Sequence, residues 1–404
     1  MIKWHEYRQI LWQLGPVMLA FALLAFTLHH VYGFLSGTGA DLIAPNHMPL
    51  GADYLSLWSA GWLAATGNAA GAYDPAAIHA AHRIVIPENA PLTLFHYPPT
   101  FLLLLWPFAQ LPYVTSWLLF VGLTGIGYLA VLWKARPHWT TLLFALAYPA
   151  AGVNFLDGQN AFLSTTLLGL ALFSARPWMQ GLWWGLLTYK PQLGLPVPFA
   201  LLMRKNLRII LYAGLFAALF AGLALLCFGT GSWQAFSLDS SYALEILASN
   251  RLPMERMASA FAMVMVLGGS WQAALLLQGL EATIALLCVM AIYRNTRSSA
   301  GLRGASLGLA MLMVTPHLFN YDLTLLALPL ALWLREAERT NWLAGERLFL
   351  LLIWLAPFYA QPIPLFSYVN LYPALLILMQ LLLIRRLYQG ESESCQTVTR
   401  QASP

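Results

Sequence analysis

Apolar runs of membrane-crossing length recur along this chain from Leu14 to Leu383, broken only by short polar stretches. A helix crossing the hydrocarbon core needs about 20 mostly apolar residues, and only helices or closed barrels satisfy their backbone there. The runs are continuous rather than alternating, which selects helices over barrel strands. Charged residues make up only 9% of the 404, and hydrophobic ones 59%. Soluble domains carry about 25% charged residues, so most of this surface must face lipid. The chain reads as an all-α polytopic membrane protein.

The placement of basic residues sets the orientation, because cytoplasmic loops collect Lys and Arg. With the N-terminus inside, the first helix leaves the membrane near Gly33. Further spans fall near 112–133, 139–153, 160–175, 179–190, 191–203, 208–229, 270–293, 302–316, 322–334, 346–361 and 368–385. That makes about 12 membrane helices, with 179–203 able to span or to re-enter. All but four of the 21 Lys and Arg then lie inside, the exceptions being Arg83, Lys190, Arg251 and Arg256. The run Leu14 to Tyr32 follows Lys3 and Arg8 as a signal peptide would. It has no persuasive small-residue cleavage site and many spans follow it, so it reads as an uncleaved first helix. Residues 1–390 form one transmembrane domain, and 391–404 a disordered cytoplasmic tail.

Acidic residues lean to the outer side, although they contribute little to orientation. Asp41, Asp74, Glu88 and Asp239 read as ordinary solvated loop acids. The long polar loop from Gly33 to His96 is different, since parts of it are apolar. Leu55 to Ala65 has apolar residues at helical spacing and suits a helix lying on the outer membrane surface. Pro98 to Gln110 suits a second, opened by prolines. A second outer loop runs from Gly229 to about Met257. Cys227, Cys288 and Cys395 are scattered, with no metal-ligand spacing and no disulfide framework. No phosphate-binding loop or dinucleotide fingerprint is present, which disfavours a soluble nucleotide-driven mechanism. No cofactor, no metal and no nucleic-acid partner is expected.

Four constellations can carry chemistry. Asp53, in Gly51-Ala52-Asp53-Tyr54, is either a general base for an acceptor hydroxyl or a helix N-cap, and the two are compatible. Lys190, in Thr188-Tyr189-Lys190-Pro191, lies ~15 Å along a helix from the inner flank at Gln180, at about 1.5 Å per residue. A lysine at that depth is costly unless paired, and Pro191 frees backbone groups to face a cavity. It is either a cation for a lipid-linked phosphate or a side chain snorkelling to the outer interface. The third is the polar turn Asn154 to Asn160, including Gln159. The fourth is Thr315 to Asp322, with His317, Asn320 and Tyr321. Each turn alone suits a plain connector; together with His96 and Tyr97 they converge on one side. Glu281 lies mid-span, pairing with a polar neighbour or turning to the inner edge. Arg251 and Arg256 read as solvated loop residues, able to attract an anionic head group.

These segments together resemble the family 87 glycosyltransferases, membrane enzymes of the GT-C architecture that use polyprenyl-phosphate sugars. The matching stretches are Asp53-Tyr54 with Trp58 to Gly61, Gly67 to Asp74, Tyr97-Pro98-Pro99, Gly158-Gln159-Asn160, Tyr189-Lys190-Pro191, and Thr315-Pro316 through Tyr321-Asp322. The last departs from the Ser-Pro form of the family. The resemblance implies a GT-C-like bundle with outer juxtamembrane helices, in the bacterial inner membrane. It implies a polyprenyl-phosphate sugar donor and a glycan or glycolipid acceptor outside, with membrane lipid around. Asp53 would be the base and the reaction inverting. Lys190, Tyr97, Gln159, Asn160, His317, Asn320 and Tyr321 would bind donor, and Tyr54 and Asp322 acceptor. Relatives transfer mannose or arabinofuranose. A lipid-linked substrate flippase, a secondary transporter and a non-catalytic partner subunit are the rival classes.

Overall fold

The computed structural model describes residues 4–87, 90–91, 93–248, 253–359 and 370–401. The expectations for Lys3, Glu88 and Arg251 lie outside the described residues. Within them the chain is helical, with two isolated β-bridges, Ile43 with Pro49 and Met257 with Phe319. Helix α1 is Trp4–Ser36. The outer segment then carries α2 (Tyr54–Ala65), a 3₁₀ turn Ala69–Tyr73, α3 (Pro75–His82) and α4 (Pro99–Ala109). Next come α5 (Tyr113–Ala135), α6 (Trp139–Leu146), α7 (Pro149–Asp157), α8 (Ala161–Phe173), α9 (Pro177–Leu186), α10 (Pro196–Met203) and α11 (Leu207–Ala248). The chain ends with α12 (Ala260–Val266), α13 (Trp271–Arg294), α14 (Ala300–Met313), α15 (Ala327–Thr340), α16 (Glu346–Tyr359) and α17 (Tyr372–Gln401).

Among the described residues four helices are long and apolar enough to cross a membrane alone: Leu14–Ser36, Tyr113–Ala135, Leu207–Ser240 and Trp271–Arg294. The pair α6 and α7, bent by 56°, makes a fifth if it is one broken span. Pro149 accounts for the bend, since it removes a backbone donor and disfavours helical geometry in the residue before it. The count read from the sequence was about 12. The difference lies in helices such as α8, α14 and α15, of 13, 14 and 14 residues. Their apolar side chains are buried by neighbouring helices, and an apolar window reads the same whether it faces protein or lipid. The first-helix window is the opposite case, with only 6% of it buried.

Close packing follows small residues. Gly181 and Gly185, one turn apart on α9, lie against the backbone of α11 at Tyr212–Ala213 and Phe216–Ala217, where any Cβ would collide. Helix α14 runs through the core, and Ser306 exchanges hydrogen bonds with Gln380 of α17, 2.9 Å each way. At the far end of α15, Glu346 and Arg386 form a buried ion pair. Arg386 also reaches Thr340 Oγ1 and the Asn341 carbonyl, while Glu346 accepts from Trp333 and the Leu343 amide.

Three sequence readings change. Helix α2 does not lie on the surface with one face out: all its residues but Trp62 and Ala65 are buried, because α4 and the outer loops enclose it. From Gly229 as far as Ala248 the chain is helical rather than a loop. Gly229 (φ 73°, ψ 172°) kinks α11, and helix resumes beyond it. Asp239, on that second part, is buried and bonded to His96 at 2.9 Å rather than solvated.

Candidate active site

The turn before α2 is tightly made. Gly51 (φ 73°) and Ala52 (φ 28°) both have positive φ, a conformation costly for alanine and one that concentrates at functional sites. Tyr113 of α5 clamps the turn by donating to the Leu50 carbonyl, 2.5 Å, and the Tyr54 amide closes onto Gly51, 2.6 Å. Asp53 has helical angles (φ −72°, ψ −22°) and makes no side-chain cap, so the N-cap role does not hold its carboxylate. That group instead accepts from Gln159 Nε2 at 2.9 Å, and the residue stays half-buried.

Gln159 is placed by the end of α7. Gly158 sits in the left-handed region (φ 64°, ψ 30°), and the Gln159 amide returns to the Asn154 carbonyl at 3.0 Å, the geometry that closes a helix at glycine. A Cβ at 158 would strike Tyr54 and Trp117. Glycine therefore lets this turn lie directly under the start of α2, which brings Gln159 to Asp53.

From there the polar groups join. Tyr97 donates to Gln159 Oε1 at 3.3 Å, Asn160 Nδ2 donates to Tyr97 at 2.7 Å, and Lys190 Nζ donates to Asn160 Oδ1 at 3.4 Å. Lys190 also pairs with Asp322 at 2.5 Å and lies 5.3 Å from the Tyr321 ring centre. A buried cation needs such a partner. The local sequence positions both ends. Lys190 lies between two short 3₁₀ turns, Leu187–Tyr189 and Pro191–Gly194, at a break where Pro191 cannot continue the hydrogen-bond ladder. Asp322 is in the first turn of the 3₁₀ segment Asn320–Leu326, where it also accepts from the Phe319 amide at 3.3 Å.

Asp53, Gln159, Tyr97, Asn160, Lys190 and Asp322 thus form one continuous chain from five separate sequence segments. The other expected site residues stand beside it. Tyr321 stacks on Phe319 and forms a floor for Lys190. Asn320 accepts from the Tyr321 amide. The His317 amide donates to Thr315 Oγ1 at 3.2 Å. Burial, with His96 and Lys190 nearby, pushes the pKa of its ring down to about 4, so it is neutral at pH 7. Tyr54, expected to contact acceptor, is fully buried and its hydroxyl pairs with Ser116 at 2.7 Å. One position after Asp53 on a helix, it points away from that carboxylate and into the core. Asp322, the other residue expected to contact acceptor, is 3% exposed and paired with Lys190. Lys190 itself does not snorkel.

Sequence reasoning missed several pairings. Tyr189 bonds Ser164 at 2.7 Å and stacks on Phe101, walling the site. Arg256, read as a solvated loop residue, bonds Asp157 at 2.7 Å. Glu281 and Gln278 of α13 accept the Ala260 and Phe261 amides, at 3.2 and 3.1 Å. They close the start of α12, which explains a mid-span carboxylate. Among the described residues no three His, Cys, Asp or Glu side chains are grouped to hold a metal ion.

Residues 95–316, more than half of the chain, match the model of glycosyltransferase family 87. The chain belongs to glycosyltransferase family 87. It is a membrane glycosyltransferase and a multi-pass membrane protein. No curated protein and no solved structure matches it. Of the six linked residues of this family 87 enzyme, Tyr97, Gln159, Asn160 and Lys190 fall inside the matched region; Asp53 and Asp322 flank it.

Proposed function

We propose that this enzyme transfers a sugar from a polyprenyl-phosphate donor to a glycan or glycolipid acceptor at the outer face of the bacterial inner membrane, within a GT-C-type bundle. In this reading the short helices stack end to end as broken crossings, giving about 12 passages. The family supports sugar transfer in general, and the split of basic residues supports the orientation.

The observation that carries the mechanism is the hydrogen-bond chain from Asp53 to the Lys190–Asp322 pair. Asp53 is its half-buried end, with a carboxylate fixed by Gln159 and not used as a cap. In the proposed step Asp53 takes the proton of the acceptor hydroxyl as that oxygen attacks the anomeric carbon. The bond from that carbon to the phosphate oxygen breaks, and the lipid phosphate leaves with the electron pair. A single displacement inverts the anomeric configuration. Lys190 balances charge on the phosphate side, with Asp322 as its counter-ion when no donor is bound. The sugar is mannose, another hexose or a pentose.

Asp53→Asn tests the mechanism, because it keeps the size and the contact with Gln159 while losing the base. Purified protein incubated with polyprenyl phosphosugars and acceptor should lose about 10²- to 10⁴-fold in transfer rate, with donor binding and unfolding temperature retained. Transfer at the wild-type rate would mean that Asp53 is not the base. Lipid movement across the membrane without cleavage of the sugar bond would point to the flippase class instead.

A further inference from the structure

A cavity of about 730 Å³ lies at the other end of α5 from Asp53, between α1, α5, α6, α15 and α16. Helix α5 begins at Tyr113, which clamps the Asp53 turn, and has 23 residues. At about 1.5 Å per residue its ends are roughly 35 Å apart, so the cavity lies about one bilayer away from the candidate active site. The volume is within the roughly 300–1,000 Å³ of small-molecule sites.

The lining is amphipathic. Val17, Leu132, Leu350 and Trp354 represent its apolar wall, and Arg136, His138 and Arg347 its polar side. Arg136 is already neutralised, through two bonds to Glu338 at 2.7 and 2.8 Å. Arg347 is not: among the described residues it has no carboxylate partner, and its guanidinium lies 5.0 Å from the Trp342 ring centre. An exposed cation beside a deep apolar slot fits a ligand with an anionic head and a hydrocarbon tail. The α1 wall belongs to a helix whose span is only 6% buried, so the slot borders lipid. Basic pockets of this kind between membrane helices hold anionic head groups.

We infer that this cavity is a binding site for an anionic phospholipid of the leaflet at that end, with Arg347 on the phosphate and the acyl chain against α5, α15 and α16. The site is independent of the transfer reaction. It rests on the cavity, the unpaired cation and the lipid-facing wall.

The full-length protein is titrated in detergent with phosphatidylglycerol, phosphatidylcholine or inorganic phosphate. Unfolding temperature and lipid retained in native mass spectra are read. Phosphatidylglycerol should raise the unfolding temperature and be retained, phosphatidylcholine much less, and inorganic phosphate should do nothing. Arg347→Gln should lower phosphatidylglycerol retention about five- to tenfold, the contribution of one basic residue to an anionic lipid. Its phosphatidylcholine response should not change. Ala331→Phe, which fills the slot and leaves the charges, should reduce retention of both lipids. Equal responses to the two lipids, stabilisation by inorganic phosphate alone, or wild-type phosphatidylglycerol retention in either variant would overturn the inference.

Discussion

Two buried ion pairs lie at the two ends of α15, and they are finished differently. Beyond its last turn, Glu346 and Arg386 are ringed by partners: Trp333, Thr340, the Leu343 amide and the Asn341 carbonyl. Every strong hydrogen-bonding group there has a fixed answer inside the protein, and the knot ties α15, α16 and α17. Before its first turn, Lys190 and Asp322 are also buried, at 4% and 3% exposure. That pair does not close on itself. It passes through Asn160, Tyr97 and Gln159 to a carboxylate that reaches the surface of the site. A buried ion pair is therefore weak evidence of function by itself; what separates these two is whether the network around the pair ends inside the protein or opens.

The sharpest way to break this comparison is to replace each pair whole. Removing one partner of either pair, Lys190→Met or Arg386→Met, should cost about 3–5 kcal/mol, because the other charge stays buried. The double variants Lys190→Met/Asp322→Leu and Arg386→Met/Glu346→Leu should recover much of that in unfolding temperature. Sugar transfer should return only in the second. Equal activity in the two double variants would make both pairs structural.

A smaller effect is expected at the middle of the chain. Tyr97→Phe removes the donor to Gln159 and the acceptor for Asn160 but leaves both ends in place. Loss of a hydrogen bond of about 0.5–1.5 kcal/mol corresponds to roughly a two- to twelvefold fall in rate. A kcat loss with unchanged KM is the expected form. No change in kcat would mean that the link is architectural.

The last effect is in pH. His317 and His82 both have pKa values pushed down to about 4, chiefly by burial, with neighbouring cations adding. Folded, they stay neutral while the unfolded chain, near the ordinary value of about 6.5, takes up protons first. Stability should therefore be intact above about pH 6.5 and should fall as the pH drops toward about 4. His317→Gln should flatten that slope in unfolding temperatures measured across the window; an unchanged slope would show that His317 does not contribute.

How much of this was legible in the sequence varies with distance along the chain. The break at Lys190 was legible, because a charge and a proline interrupt an apolar run. The turns at Gly158 to Asn160 and Thr315 to Asp322 were legible for a similar reason. Their joining was not. Lys190 and Asp322 are 132 positions apart, and His96 and Asp239 are 143 apart, and no local pattern encodes such partners. Tyr54 shows a second limit. A helix turns about 100° per residue, so the neighbour of Asp53 points into the core.

The chain from Lys190 to Asp53 has a direction. At every link the donor lies on the Lys190 side and the acceptor on the Asp53 side. Aligned in this way, the groups polarise one another, so the partial positive charge reaching Asp53 is larger than one amide alone supplies. The same alignment makes the row a poor exit for a proton. Gln159 presents Asp53 with an N–H, which has no lone pair to receive one, and reversing that amide would oblige Tyr97 and Asn160 to turn as well. In the proposed mechanism a proton gathered at Asp53 therefore leaves through its half-buried side. In the proposed mechanism the interior then serves as a one-way electrostatic backing for that carboxylate, and the departure of its proton completes the turnover.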